Sequence, residues 1–351
     1  MSRRSAMKKP NDKAKRLAVL RRRLKRKTKR KVIRPTRKAE RAYIAGLRDI
    51  VTDLAKLVNR SLMPWLHQRY TPWEAPQADH PLSFTDDFTT RLNQLRESYA
   101  WYGQDAPLLL PDTSTTGAPP APPAPPAHTA RSSAGSDAPF GQQIRRLAEA
   151  KINVAAAEGT EAVRQQVNAA VGVDLGAVMR QEQLTDYVAA AVQENVSLIR
   201  TIPDRFFGDI ERKVLDGYRS GRSLKRLAQD IQGVYSQSDF NAQRIARDQI
   251  SKITSDVMIR RMKDAGVERF RWSTSADERV TGNPAGRYPN AKVKCWAIAH
   301  RDIGYGPGVY LLSEGAEVNG EKGVYPGRAH IADRCIAVAL FPGIDYIPWD
   351  E

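Results

Sequence analysis

Apolar residues recur at steps of three and four through most of this chain, the spacing of one face of an α-helix. Between Pro35 and Tyr70 they are Tyr43, Leu47, Ile50, Leu54, Leu57 and Val58, with Arg48, Asp49, Asp53 and Lys56 off the stripe. Pro64 is expected to break or kink this helix, because proline lacks the N–H and crowds the preceding turn. A second segment, Phe84 to Trp101, turns Phe88, Leu92, Leu95 and Tyr99 inward, and Ser83 or Thr85 can cap it. Joined by the proline-rich TPWEAPQADHP, the two predict a helical hairpin over residues 34–102. Its apolar face is narrow enough to call for a partner surface.

The same periodicity fills residues 140–240. Gln181 to Thr201 carries Leu184, Val188, Ala191, Val192, Val196 and Ile199 and is expected to stop at Pro203. Arg205 to Tyr218 places Phe206, Ile210 and Val214 inward and ends at Gly221. Ser223 then caps a helix with Leu224, Leu227, Ala228 and Ile231. The SLKRLAQDI segment after YRSGRS resembles the first helix of a helix-turn-helix, with Asn241, Gln243 and Arg244 at the start of the next. That next helix lacks the fuller set of exposed polar residues that base reading requires, so plain packing is the preferred reading.

From Asn241 to Arg279 the pattern is helix, turn, strand. Ala246, Ile250, Ile253 and Val257 make one stripe, Ser238 or Asp239 can cap the start, and Gly266 suits the left-handed stop. FRWST then alternates, with Phe270 and Trp272 on one face. Beyond Arg279 come short apolar runs, Val309 to Leu312 and Cys335 to Leu340, separated by TGNPAGRYPN, GYGPG, NGEKG and YPGR. With FRWST they predict a small sheet against the helix at 241–264. The fold class expected is mainly α with a small α+β C-terminal domain, plus a disordered basic N-terminal arm and a Pro-rich linker.

Charge sharpens the division. The chain has 351 residues and a net charge of +17, yet Met1 to Arg41 alone holds twenty Lys and Arg against Asp12 and Glu40, so the rest sums to −1. A neutral body with a cationic leader reads as a folded module with an electrostatic tether. Residues 1–33 form that arm, disordered when free, and Arg21, Arg22, Arg23, Lys25, Arg26, Lys27, Lys29, Arg30 and Lys31 are its candidate phosphate contacts. Counterion release would give sequence-independent affinity for nucleic acid. An acidic protein surface and a merely solvated tail are the other readings of the same run. Residues 103–139, with GAPPAPPAPPA, predict a stiff polyproline II linker.

Two cysteines, Cys295 and Cys335, are too few for a disulfide scaffold and fit a reducing compartment. Nothing in the sequence approaches the ~20 apolar residues of a membrane span, so no membrane partner is expected. One constellation invites chemistry. Cys295-x4-His300 and His330-x4-Cys335 make a near-symmetric Cys2His2 set in a loop-rich region, a candidate zinc site. The spacing is looser than usual zinc pairs, and Cys335 in a strand also packs as a small hydrophobe, so the reading with no cofactor stays ahead of zinc. No P-loop, G-x-S-x-G or H-E-x-x-H occurs. Asp277, Glu278 and His300 can be read as a nuclease-like metal cluster, or Asp277 and Arg279 as an ion pair fixing the turn. No enzymatic activity is expected.

Several segments together resemble a known family. Glu194-Asn195-Val196-Ser197-Leu198-Ile199-Arg200-Thr201-Ile202-Pro203, the run R-I-A-R-D-Q at Arg244 to Gln249, G-V-E-R-F-R-W and D-E-R-V, then Tyr325-Pro326-Gly327-Arg328-Ala329-His330 and Arg334-Cys335 are similar to the phage Mu protein F-like minor head proteins, the phage head morphogenesis family. The resemblance covers roughly residues 180–342 and makes residues 241–345 the Mu F-like domain. It departs at AHIADRC, where that family often has H-P-x-C-R-C. It implies a minor head protein of a tailed bacteriophage, acting structurally at the portal vertex in capsid assembly and DNA packaging. Its partners would be portal and capsid proteins, with DNA bound through the arm, and its location the virion, or the host cytoplasm during assembly. A cellular nucleic-acid-binding protein and a metal-dependent nuclease are the alternatives.

Overall fold

The computed structural model describes residues 32–71, 83–106, 138–172, 174, 184–275, 277, 281–290 and 294–346. The candidate phosphate contacts Arg21 to Lys31, nearly all of the proline-rich stretch, and Glu278 and Arg279 lie outside these residues.

The fold is mainly helical, with a few short strands in the C-terminal region. The helices are α1 (Lys38–Leu57), α2 (Met63–Arg69), α3 (Ser83–Tyr102), α4 (Pro139–Val171), α5 (Thr185–Arg219) and α6 (Leu224–Asp264). Then follow β1 (Arg269–Ser273), α7 (Cys295–His300), β2 (Val309–Leu311), β3 (Ala316–Val318), β4 (Glu321–Val324) and β5 (Ile336–Leu340). Two compact units arise. The helical unit takes residues 37–156 and 183–253; the strand-bearing unit takes residues 1–36, 157–182 and 254–351. Sequence order therefore does not match unit membership, because α4 and α6 each supply residues to both.

The helical unit buries one continuous core. Tyr43, Leu47, Ile50 and Leu54 of α1, Phe88, Leu92 and Leu95 of α3, and Phe206, Phe207 and Ile210 of α5 all belong to it. The narrow stripes at 34–102 thus find their partner surface in the helices that follow, and the two expected segments share a core. The predicted break at Pro64 takes a specific form. A π-helical turn, Val58–Leu62, ends α1, and Pro64 sits in the first turn of α2, where its missing N–H costs little.

Two expected helix ends are absent. Pro203 lies inside α5, and α6 runs through Gly233 and Asp239 without interruption for 41 residues. An interior proline costs about 3 kcal/mol, but Ile199, Ile202, Phe206 and Phe207 on either side of Pro203 are buried. Burying each large apolar side chain contributes about 1.5–3 kcal/mol, enough in total to hold the helix through the defect. Continuity of α6 also removes the helix-turn-helix reading, since the supposed recognition helix is the middle of the same rod. The boundary at residue 220 is as expected: Gly221 takes a φ of 64°, and Ser223 Oγ accepts from Arg226 N at 3.4 Å, capping α6.

One buried polar cluster ties three helices of this unit. Asn195, fully buried, donates from Nδ2 to Ala191 O (2.8 Å) and Gln249 Oε1 (3.2 Å), and its Oδ1 accepts from the Tyr43 hydroxyl at 2.9 Å. Burial pushes the Tyr43 phenol up from its ordinary pKa, which keeps it a donor.

In the strand-bearing unit, α6 ends in a Schellman motif. Gly266, at φ 67°, donates to Lys263 O, and Val267 N reaches back to Met262 O. The chain turns straight into β1, which is the centre of an antiparallel sheet ordered β2-β1-β5. Phe270 pairs with Tyr310 and Ala339, Trp272 with Ala337. Phe270 and Trp272 are both buried, as the alternation predicts. β5 is an edge strand, and Gln166 of α4 covers it: its Oε1 accepts from Ala339 N at 2.9 Å and its Nε2 donates to Ala337 O at 3.4 Å. A second, two-stranded sheet, β3-β4, was not legible as strands. Its NGEKG turn was, and Asn319 and Gly320 take the positive φ of 51° and 86° that a tight hairpin requires.

Replacing Asn195 with Ala leaves the Tyr43 hydroxyl and the Gln249 amide without their partner. It should lower the stability of the helical unit by about 1–3 kcal/mol, read from helical circular dichroism in urea, and Tyr43→Phe by about 1 kcal/mol.

Candidate functional site

The site is built from a short helix and a loop within the strand-bearing unit. The CWAIAH segment forms α7, with Cys295 and Ile298 turned into the core. A close backbone approach fixes its far end. Gly308, at φ 70°, donates to Arg301 O and lies where a Cβ would come within 2.3 Å of Ala299 O, so no other residue fits there.

The loop from Tyr325 to Arg334 is held from outside and from inside. Outside, Arg328 makes a two-pronged ion pair with Asp256 of α6, its Nε 2.6 Å from Oδ1, and Ser255 Oγ donates to Pro326 O. Inside is Asp333, with no exposed surface. Its Oδ2 accepts from Gly327 N (2.9 Å) and Ala329 N (3.1 Å), and its Oδ1 from Cys335 N at 2.8 Å. The loop is thus wrapped on one carboxylate.

That wrapping delivers a cluster of metal-ligand type. Ligand atoms of Cys295, Asp333 and Cys335 all lie within 4.8 Å of one another, and all three residues are buried. His330 joins from the same loop. Its Nδ1 bonds Ile331 O at 3.0 Å, while its buried Nε2 stands 3.6 Å from Asp333 Oδ1 and faces Cys295. Electrostatically the groups are interdependent. The Cys335 thiol beside it, and then His330, hold Cys295 below the ordinary thiol range, against the effect of burial. Cys335 is driven the opposite way by Cys295 and by burial, and interaction with Cys295 lifts His330 to about 9.

Three of the four residues predicted as a zinc set, Cys295, His330 and Cys335, therefore meet. His300 does not join them. The x4 spacing treats residues 295–300 as loop, but they are helical, and five helical residues separate two side chains by about 7.5 Å of rise and about 140° of rotation. His300 instead stacks on Trp296, ring centroids 4.0 Å apart, with its Nδ1 2.7 Å from Trp296 O. Asp333 was missed in the sequence. Its one local signal was an aspartate two residues ahead of Cys335, the spacing at which a carboxylate takes a neighbour's N–H.

The root of the basic arm is the other placed feature. Ile33 O accepts from Gln166 Nε2 at 3.2 Å, and Arg34 donates to Ser273 Oγ (3.0 Å) and Thr274 O (2.6 Å), at the end of β1. Thr36 Oγ1 donates to Glu158. Residues 33–36 are thus fixed to the strand-bearing unit.

In comparisons with known proteins, no family model matches the chain and no solved structure matches it. It is similar to an uncharacterized protein of Haemophilus influenzae (strain ATCC 51907 / DSM 11121 / KW20 / Rd), 28% identical over 139 residues. The match takes in 39% of this chain and 31% of that protein, so the chain spans about a third of the length of the curated relative it matches.

Asp333→Ala strips partners from three backbone N–H groups at once, each worth about 1–3 kcal/mol when orphaned. The strand-bearing unit should unfold at clearly lower urea concentration, followed by fluorescence of the buried Trp272. Asp333→Asn, which keeps the Oδ1 acceptor, should fall between it and the parent.

Proposed function

We propose that this protein is a minor head protein of a tailed bacteriophage, working structurally at the portal vertex during capsid assembly and DNA packaging, with its N-terminal arm gripping DNA. The observation that carries this reading is the charge partition joined to a built anchor. A leader with net charge +18 in its first 41 residues precedes a body that sums to −1, and the leader's root is tied down at Ile33 and Arg34. A polycation fixed to a near-neutral folded body suits a partner whose charge is dense and whose sequence is immaterial, such as packaged DNA.

The segments that carry the family resemblance support the same reading, because their polar residues do structural work. Asn195 of the E-N-V-S run bonds Gln249 of R-I-A-R-D-Q, and the Y-P-G-R-A-H run wraps Asp333. Such a pattern marks a framework fixed by its joints. Portal and capsid proteins are the partners the resemblance brings; the DNA partner comes from the arm. Among the described residues no helix is long and apolar enough to cross a membrane.

A chain starting at Val32 loses sixteen Lys and Arg but keeps the root contacts at Ile33 and Arg34. Full-length protein should bind duplex DNA with a log-log salt slope near −0.9 per phosphate neutralised, and the shortened chain should lose most of that affinity and slope. Equal affinity and slope would end the role given to the arm. The assembly role predicts the chain in purified proheads or mature heads; its absence from both removes the virion reading.

A further inference from the structure

We propose that Cys295, His330, Asp333 and Cys335 form a tetrahedral Zn2+ site that closes the strand-bearing unit. The inference rests on the cluster alone and is independent of any role in a virion.

The donor set matches the ion. Two sulfurs, one imidazole nitrogen and one carboxylate oxygen suit a borderline-soft cation that takes four ligands. Zn–S bonds of about 2.3 Å and Zn–N or Zn–O bonds of about 2.0–2.2 Å put tetrahedral donors about 3.3–3.8 Å apart. The His330 Nε2 to Asp333 Oδ1 separation of 3.6 Å lies in that window, and the sulfurs and carboxylate, within 4.8 Å of one another, need only a small contraction.

Tautomer and second-sphere geometry agree as well. A ligating histidine usually spends its other ring nitrogen on a backbone carbonyl, and His330 Nδ1 does so with Ile331 O. That leaves Nε2 facing Cys295 and Asp333. Asp333 Oδ1 carries one N–H, from Cys335, and an oxygen with two lone pairs has one left for a metal. The competing account, two cysteines packed as small hydrophobes and an aspartate organising a loop, explains Asp333 Oδ2 and the burial of both sulfurs. It gives no role to the buried imidazole nitrogen that faces Cys295 and stands 3.6 Å from the Asp333 carboxylate.

Binding needs no redox partner. Each thiol gives up its proton to solvent, and the sulfur lone pair forms the bond to the metal. In this set Asp333 takes the place that the sequence pattern gave to His300.

The test is elemental analysis of full-length protein purified without chelator. The expected result is about one zinc per chain, falling at least tenfold in a Cys295→Ser/Cys335→Ser variant and unchanged in His300→Ala. Should the double variant fail to fold, cobalt substitution of the parent decides: a thiolate-to-cobalt charge-transfer band with the intense visible bands of a tetrahedral ion supports the site. Zinc below about a tenth of an equivalent, zinc retained by a folded double-serine variant, a Cys295–Cys335 disulfide in the purified chain, or a cobalt spectrum without thiolate ligation would each overturn it.

Discussion

A backbone amide taken out of water must find an acceptor, and in the strand-bearing unit a few side chains meet that demand where ladders and turns do not. Among its described residues the strands are short, and turn bonds to backbone carbonyls carry much of the remainder. Asp333 supplies three acceptances to a single loop. Gln166 serves both a donor and an acceptor on the outer edge of β5. Asp302 does the same for the glycine-rich loop, accepting from Gly304 N and Gly306 N at 2.9 and 3.0 Å. These few polar side chains add direction to loops that apolar burial, being non-directional, does not orient.

The helical unit uses the opposite economy. Its backbone is satisfied within helices, so burial of apolar stripes carries the fold, and polar groups enter only to set register. Asn195 is the case in point. It adds little apolar area, but its bonds to Tyr43 and Gln249 admit only one rotation of three helices about their axes. Arg96 with Glu211 and Arg48 with Asp239 sit nearer the surface, where ion pairs contribute about 0–1 kcal/mol.

What could be read in advance follows from this contrast. Stripes such as Tyr43 to Leu54, or the alternation of Phe270 and Trp272, are periodic, and periodicity is local. The Gly266 stop and the Ser223 cap were legible because their chemistry sits in consecutive residues. Pro203 misled because a local penalty was outweighed by apolar burial on both sides of it, and the supposed start at residue 241 because α6 has no need to restart. In the site, the two cysteines and His330 were visible as residue types. Their company was not, since the helical rotation that removes His300 and the loop closure that brings Asp333 both depend on tertiary structure. Gln166, 171 residues from Ala337 in sequence, gave no signal at all.

One junction on the strand-bearing unit is specific. Ile33 and Arg34 are pinned beside the end of β1, the central strand, by Gln166, Ser273 and Thr274. The course of the backbone ahead of α1 is therefore set by contacts from residues more than a hundred positions away, so that a change at Gln166 or Ser273 would be felt at the opposite end of the sequence.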